Sequence, residues 1–290
     1  MRFAITGVDR GLSVFEALMA ADWEPVKLFT VPQTNLNRVL IERAVGLNIP
    51  VQLSRMDEAD LADLGARRCE VLVCASYNWR IGDWRPHVRF AVNFHASPLP
   101  EARGPYPAFR AILEGRMAWG VTCHKLEHGF DAGDVLAAET FPLSNAECHD
   151  SLDLKTQMAS GRLARRVAAD LPGLWDRAFR QGPGSYWRLT SDDERTLDFT
   201  GTVEAVMRRV RAFGLTETIA HVNGMTVYVR RAVGWTEAHG HAPGCVVHAD
   251  GRRSVVAVRD GYIALIEWSP IPLAAVEAVG RDASPPVTPR

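Results

Sequence analysis

The sequence predicts an α/β protein: a Rossmann-like, mostly parallel sheet with helices on both faces, followed by a small C-terminal β-barrel-like (OB-like) domain. Three observations lead there. Early in the chain, short apolar runs alternate with amphipathic stretches of about ten residues, the pattern of strands joined by crossover helices. Between Gln181 and Thr196 the apolar content drops, through Gly182-Pro183-Gly184-Ser185 and Ser191-Asp192-Asp193-Glu194-Arg195, as in a linker. Beyond it, short alternating runs are separated by Asn223-Gly224, Asp250-Gly251 and Asp260-Gly261, strong hairpin signals. The expected organisation is a first domain over 1–185, a linker over 186–197 and a small β domain over 198–290.

The elements follow in order. Arg2 to Val8 reads as a buried strand ending at Gly7. Val14, Leu18 and Ala21 share a helical face, with Ser13 as the expected N-cap. Pro25 to Val31 predicts a second strand. Residues 35–46 predict a helix with Leu36, Val39, Leu40 and Ala44 on one face, closed by Gly46. Ile49–Leu53 as strand, Asp57–Leu64 as helix and Val71–Ala75 as buried strand continue the alternation. A further strand ends at His95, a helix over Tyr106–Glu114 stops at Gly115, and a new strand opens at Trp119. After the linker, Val203, Val206, Met207 and Val210 mark an amphipathic helix over Thr202–Phe213. Strands are expected at Thr218–His221, Thr226–Val233, Gly244–Val247, Ser254–Val258 and Tyr262–Trp268. The tail after Val279 is expected to fray.

Composition narrows the function. The 290 residues carry 33 Lys plus Arg against 34 Asp plus Glu, a formal charge of −1, so no global field draws the chain to nucleic acid or an anionic membrane. No apolar run approaches the roughly 20 residues of a bilayer span. The N-terminus enters a strand without the apolar stretch and cleavage site of a secretory signal. Five dispersed cysteines with no C-x-x-C suit a reducing compartment, so a cytoplasmic location is expected. Gly7 and Gly11 do not form the G-x-G-x-x-G cradle and read as turn glycines.

Chemistry concentrates in residues 88–134. Alternate strand side chains face the same way, which puts Asn93 and His95 together, about 7 Å apart along the chain. An amide donor beside an imidazole at a strand's carboxyl end can serve as an oxyanion site; the plainer alternative is two polar residues capping a strand. His124-Lys125-Leu126-Glu127-His128 matches H-x-x-E-H, but on a strand its two histidines stand about 13 Å apart, too far to share zinc. His239-Gly240-His241 with His248 reads as a loop before a hairpin, and no metal is expected. Cys74 and Cys123 read as packed thiols, and Arg208, Arg209 and Arg211 as the solvated face of a helix.

Asn93-x-His95, the Ser97-x-Leu99-Pro100 turn, Arg103-Gly104, Gly120-Val121-Thr122 and Asp131-x-Gly133-Asp134 resemble, in order and spacing, the formyltransferases that use 10-formyltetrahydrofolate. That group includes methionyl-tRNA formyltransferase, glycinamide ribonucleotide formyltransferase and the amino-sugar N-formyltransferases. The resemblance is strong over 69–140 and weaker over 1–68. It reaches the C-terminal unit through Leu197-Asp198-Phe199 and Ala242–Val247. It implies a formyltransferase domain over 1–185, 10-formyltetrahydrofolate as co-substrate and a catalytic set of Asn93, His95 and Asp131. In that set Asn93 and a protonated His95 would stabilise the formyl oxygen, while Asp131 would hold the proton on the imidazole. Two loops, Tyr77-Asn78-Trp79-Arg80-Ile81 and Glu127–Asp131, with Ser97–Pro100 nearby, would hold the folate. The implied contacts are Trp79, Arg80, Ile81, Ser97, Pro98, Leu99, Pro100, Glu127, His128, Gly129 and Phe130. The chain departs from the family in having Pro98 where Leu is usual, Pro105-Tyr106-Pro107 after Arg103-Gly104, and a shorter Arg80–Val92 segment.

For the acceptor, the family's tRNA enzymes carry a long basic insertion in the first domain. Here Phe29-Thr30-Val31-Pro32 runs on to Leu36-Asn37-Arg38 without one. Residues 198–290 hold ten Arg and no Lys against nine Asp plus Glu, a poor phosphate clamp. The expected partner is a small-molecule amine: an amino sugar (nucleotide-linked) first, an amino-acid or siderophore-type amine such as hydroxyornithine second. Methionyl-tRNA is the alternative, and a non-catalytic folate- or partner-binding relative is a further one. A homodimer is compatible with the sequence.

Overall fold

The computed structural model describes residues 1–32, 35–77 and 79–273. Asn78 and the tail after Val279 lie outside them. The chain divides into two compact units. The first comprises Met1–Pro107, Met117–Leu143 and Asp153–Arg188, and the second Ala108–Arg116, Ser144–Leu152 and Leu189–Arg290. The second unit thus draws two segments from well before the expected 186–197 linker.

In the first unit the described strands form a seven-stranded sheet in the order β3-β2-β1-β4-β5-β6-β7. These are β1 (Arg2–Gly7), β2 (Glu24–Phe29), β3 (Val51–Gln52), β4 (Val71–Ala75), β5 (Phe90–His95), β6 (Ala118–Lys125) and β7 (Val135–Pro142). Neighbours from β3 to β5 are parallel; β6 is antiparallel to β5, and β7 to β6. Strand alternation sends side chains to two faces. Phe3, Ile5, Val71, Val73 and Val92 join one core with α1 (Leu12–Met19), α2 (Arg38–Gly46) and α5 (His149–Ala169). Ala4, Leu72 and Ala91 join the other with Leu61 and Leu64 of α3 (Glu58–Ala66). Helices therefore cover both faces, as the alternation predicted. α6 (Leu171–Asp176) closes this part of the chain, capped by Asp170, whose side chain accepts from Gly173 N.

Local differences have physical causes. Ser13 is not a cap: it lies inside α1, and its hydroxyl donates to Gln157 O of α5 at 2.7 Å. A Cβ on Gly7 would come within 2.2 Å of Ala75 O, so this glycine serves the close approach of β1 to β4. Leu40 and Ala44 of α2 are buried but Leu36 and Val39 are exposed, a narrower apolar face than expected. Gly46 is still helical, and Leu47 ends α2. Asp57 caps α3, accepting from Asp60 N while Asp60 accepts from Asp57 N, a full capping box.

The second unit contains α4 (Ala108–Leu113), α7 (Asp192–Arg195), α8 (Val203–Phe213) and five strands. These are β8 (Thr218–Val222), β9 (Met225–Thr236), β10 (Val246–Ala249), β11 (Ser254–Val258) and β12 (Gly261–Ser269), in one antiparallel sheet ordered β10-β11-β12-β9-β8. Val203, Val206 and Val210 of α8 share its core with Val227, Val229, Val256, Ile263 and Leu265. Phe109 of α4 stacks on Phe213 of α8 at 5.1 Å and on His149 at 4.9 Å. Asn223 and Gly224, both at positive φ, form the two-residue turn between β8 and β9. Between β11 and β12 the turn is Arg259-Asp260. Gly261 already pairs in β12, where a Cβ would meet Trp235 O at 2.1 Å. Among the described residues, no helix is long and apolar enough to cross a membrane.

Candidate active site

β5 presents Asn93 and His95, and β6 lies antiparallel beside it, with His124 paired to Asn93 and Thr122 to His95. After Lys125 the chain folds back on β6: Lys125 N donates to Asp134 O at 2.9 Å, and a Cβ on Gly133 would meet Lys125 O at 1.9 Å. This tight return requires glycine at 133 and delivers Asp131, at φ 54°, to the β5 side chains.

One oxygen gathers the site. Asp131 Oδ1 accepts from Asn93 Nδ2 at 3.1 Å and lies 3.3 Å from His95 Nδ1 and 3.6 Å from His124 Nε2. Asp131 Oδ2 accepts from the backbone N of Gly104 at 2.9 Å. His124 Nδ1 is 2.8 Å from Lys125 O, to which it donates, leaving Nε2 to accept from Asn93 Nδ2 at 3.1 Å. Both amide protons of Asn93 are thus directed, one to Asp131 and one to His124.

The charges follow from burial. His95 and Asp131 are nearly enclosed. Burial pushes the His95 pKa below its ordinary value, against the pull of Asp131 and of Ala102 O, which lies 3.0 Å from Nε2. Burial also works to raise Asp131, but the two imidazoles beside it, His124 and His95, and the N–H of Gly104 outweigh it and hold the carboxyl below its usual range. Desolvation thus works against the expected standing imidazolium and favours a neutral resting ring. A neutral ring has one proton for two oxygen partners, so it gains a hydrogen bond on taking up a second.

The structure brings Asn93, His95 and Asp131 into contact. It also joins two of the expected folate segments, the Arg80 guanidinium lying 4.9 Å from the Phe130 ring centroid; Arg85, four residues beyond the first segment, donates from Nη2 to Glu127 Oε2 at 2.6 Å. Trp79 packs edge-on against Tyr77 at 5.3 Å, and Ile81 packs on the α3-side core. His128 and Gly129 are exposed, and Phe130 is 47 % exposed. Ser97 is turned inward: its hydroxyl donates to Glu101 O at 2.8 Å, and Thr122 Oγ1 donates to Ser97 O. Leu99 N donates to Thr122 Oγ1, and Pro98, Leu99 and Pro100 remain partly exposed. His124 is the residue that the sequence reading set aside with the H-x-x-E-H pattern. Its signal was the β5–β6 register, which no local pattern encodes. Among the described residues no group of His, Cys, Asp or Glu is placed to hold a metal ion. Cys74 and Cys123 are buried, and burial pushes the Cys74 thiol up to about 12.

Fold and site define a class first: an α/β protein with a buried Asn–His–Asp centre at the end of a parallel strand. The comparisons give the family. Residues 35–167 match the Formyl transferase profile and residues 189–276 that of the Formyl transferase, C-terminal domain; the chain belongs to the formyl transferase family. It is 30 % identical over 279 residues to methionyl-tRNA formyltransferase of Bordetella avium, covering 87 % of this chain and 88 % of that protein. It is 34 % identical over 187 residues to the enzyme of that name from Janthinobacterium sp., covering 62 % of this chain and 58 % of that one. Among solved structures, the Helicobacter canadensis N-formyltransferase with folinic acid and dTDP-3-aminofucose shares the fold at TM-score 0.66 and 15 % identity, covering 92 % of this chain and 99 % of that one. A HypX variant from Aquifex aeolicus superimposes at TM-score 0.70 and 19 % identity over 98 % of this chain; the chain spans about half of HypX, 49 %.

Proposed function

We propose that this chain is an N-formyltransferase that moves the formyl group of 10-formyltetrahydrofolate to the primary amine of a small molecule, an amino sugar first. The observation that carries this is the single carboxylate oxygen, Asp131 Oδ1, with Asn93 and His95 within 3.3 Å of it at the end of β5. Acyl transfer to an amine builds negative charge on the carbonyl oxygen and leaves a proton to be moved from the attacking nitrogen to the departing one. Asn93 answers the first demand by redirecting one amide proton to that oxygen. His95 answers the second: neutral at rest, it takes the attacking amine's proton, is steadied as an imidazolium by Asp131, and returns the proton to the leaving nitrogen. The donor suits the residues present. Trp79, Ile81 and the half-exposed Phe130 offer apolar surface to a flat heteroaromatic ring beside Arg80.

Charge supports the small acceptor. The eight residues 30–37 between β2 and α2 contain no Lys or Arg, and ten Arg against nine acids over 198–290 leave little to grip phosphates. The names of the curated relatives favour a second reading, formylation of methionyl-tRNA. Tetrahydrofolate release, followed with a panel of amino sugars, nucleotide-linked amino sugars, hydroxyornithine and charged initiator tRNA, separates the two. Turnover with a small amine supports the proposal, and turnover with tRNA alone replaces it by the second reading. Tight folate binding without turnover on any acceptor sinks both in favour of a binding protein.

A further inference from the structure

We propose that Gln181 is a positioning residue that sets the orientation of the Asp131 carboxylate, an inference that rests on the catalytic reading of Asp131. Gln181 lies where the composition begins to thin, just before the expected 186–197 linker, and was not among the expected site residues. Its Nε2 donates to Asp131 O at 2.8 Å and to Gly133 O at 2.7 Å, so both amide protons hold the turn that carries Asp131. Its Oε1 accepts from Arg103 Nε at 2.9 Å, and Arg103 Nη2 donates to Gly182 O at 3.1 Å. The guanidinium offers only donors and the two carbonyls only acceptors, so the amide fits in one orientation.

The bonds close a ring. Arg103 is followed by Gly104, whose N–H holds Asp131 Oδ2, and the Arg103 side chain holds Gln181, which holds the Asp131 main chain. The 103 segment is itself fixed to the chain beyond Gln181, through Arg103 N to Ser185 O and Trp187 N to Arg103 O. Main chain and one carboxylate oxygen of Asp131 are thus held from a single strap, which turns the other oxygen, Oδ1, to Asn93, His95 and His124. Asp131 sits at positive φ, a conformation that a non-glycine residue keeps only when its surroundings impose it.

Two substitutions test this. Gln181→Met keeps the length and removes every hydrogen bond; Gln181→Glu keeps the Arg103 partner and removes both donors. Two quantities are read: steady-state kinetics with 10-formyltetrahydrofolate and the accepted amine, and the NMR titration of the His95 imidazole in the unliganded protein, assigned by its loss in His95→Gln. In both variants kcat is expected to fall on the order of 10²-fold with both KM values within about threefold, the signature of misplaced rather than missing binding groups. The His95 titration is expected to move by about half a unit or more, because its carboxylate neighbour has shifted. Wild-type kcat with an unmoved titration overturns the proposal. So does a kcat that falls only with the fraction of protein competent to bind folate, the titration staying put. A wild-type protein inert toward every acceptor defeats the transferase reading, and the titration alone then decides the role of Gln181.

Discussion

Asn93 has two amide protons and, at rest, two takers for them, Asp131 and His124. Replacing it by Ala removes the expected oxyanion donor, and kcat should fall by roughly 10²–10³-fold. Thermal unfolding should change little by comparison; a variant that loses both together would mark Asn93 as structural. His124→Phe leaves one Asn93 proton without its acceptor, and a loss of kcat of roughly tenfold is expected from one buried hydrogen bond. Equal kcat in His124→Phe and wild type would remove His124 from the site. The legibility of these residues differed for a physical reason. Asn93 and His95 follow the two-residue period of one strand, and Asp131 stands in a dense local motif. His124 and Gln181 reach the same place through cross-strand register and a return of the chain, which leave no local trace in sequence.

At the level of elements, the alternation of β1 to β4 with their helices was readable because β1 and β4 are apolar on both faces, β2 keeps Val26, Leu28 and Phe29 buried, and helix-start signals stand between the strands. The capping box of α3 is one such signal. Asp57→Ala should cost about 1 kcal/mol, measured as a lower denaturant midpoint with turnover per folded molecule unchanged. β7 and the 21-residue α5 were not read. In α5, Leu152, Ala159, Leu163 and Val167 face inward, but Leu154 and Met158 stand 60 % and 61 % exposed on the other side and blur the helical period. Gly161, in mid-helix, looks like a breaker; in the fold it lets α5 approach α1, its Cβ position 3.2 Å from Ser13.

For the whole molecule, the buried centre ties stability to pH. The His95 pKa is lower folded than unfolded, so the unfolded chain binds more protons as pH falls through the ordinary histidine range near 6.5. The His95 contribution is present above that range and is lost on acidification; Asp131, also depressed, adds a second loss below about 4. Denaturation midpoints measured from pH 8 to 5 should decline, and His95→Gln should flatten the upper part of that decline. A midpoint independent of pH in this window would contradict the desolvated imidazole. The interleaving of the units carries a practical corollary. Phe109 rests on Phe213, an aromatic partner more than a hundred positions downstream. Genetic amputation after Arg188 would not liberate a free-standing half: it would strip α4 of α8, uncover the side of the Phe109 ring that faces Phe213 and yield a sticky, aggregating fragment, visible by light scattering.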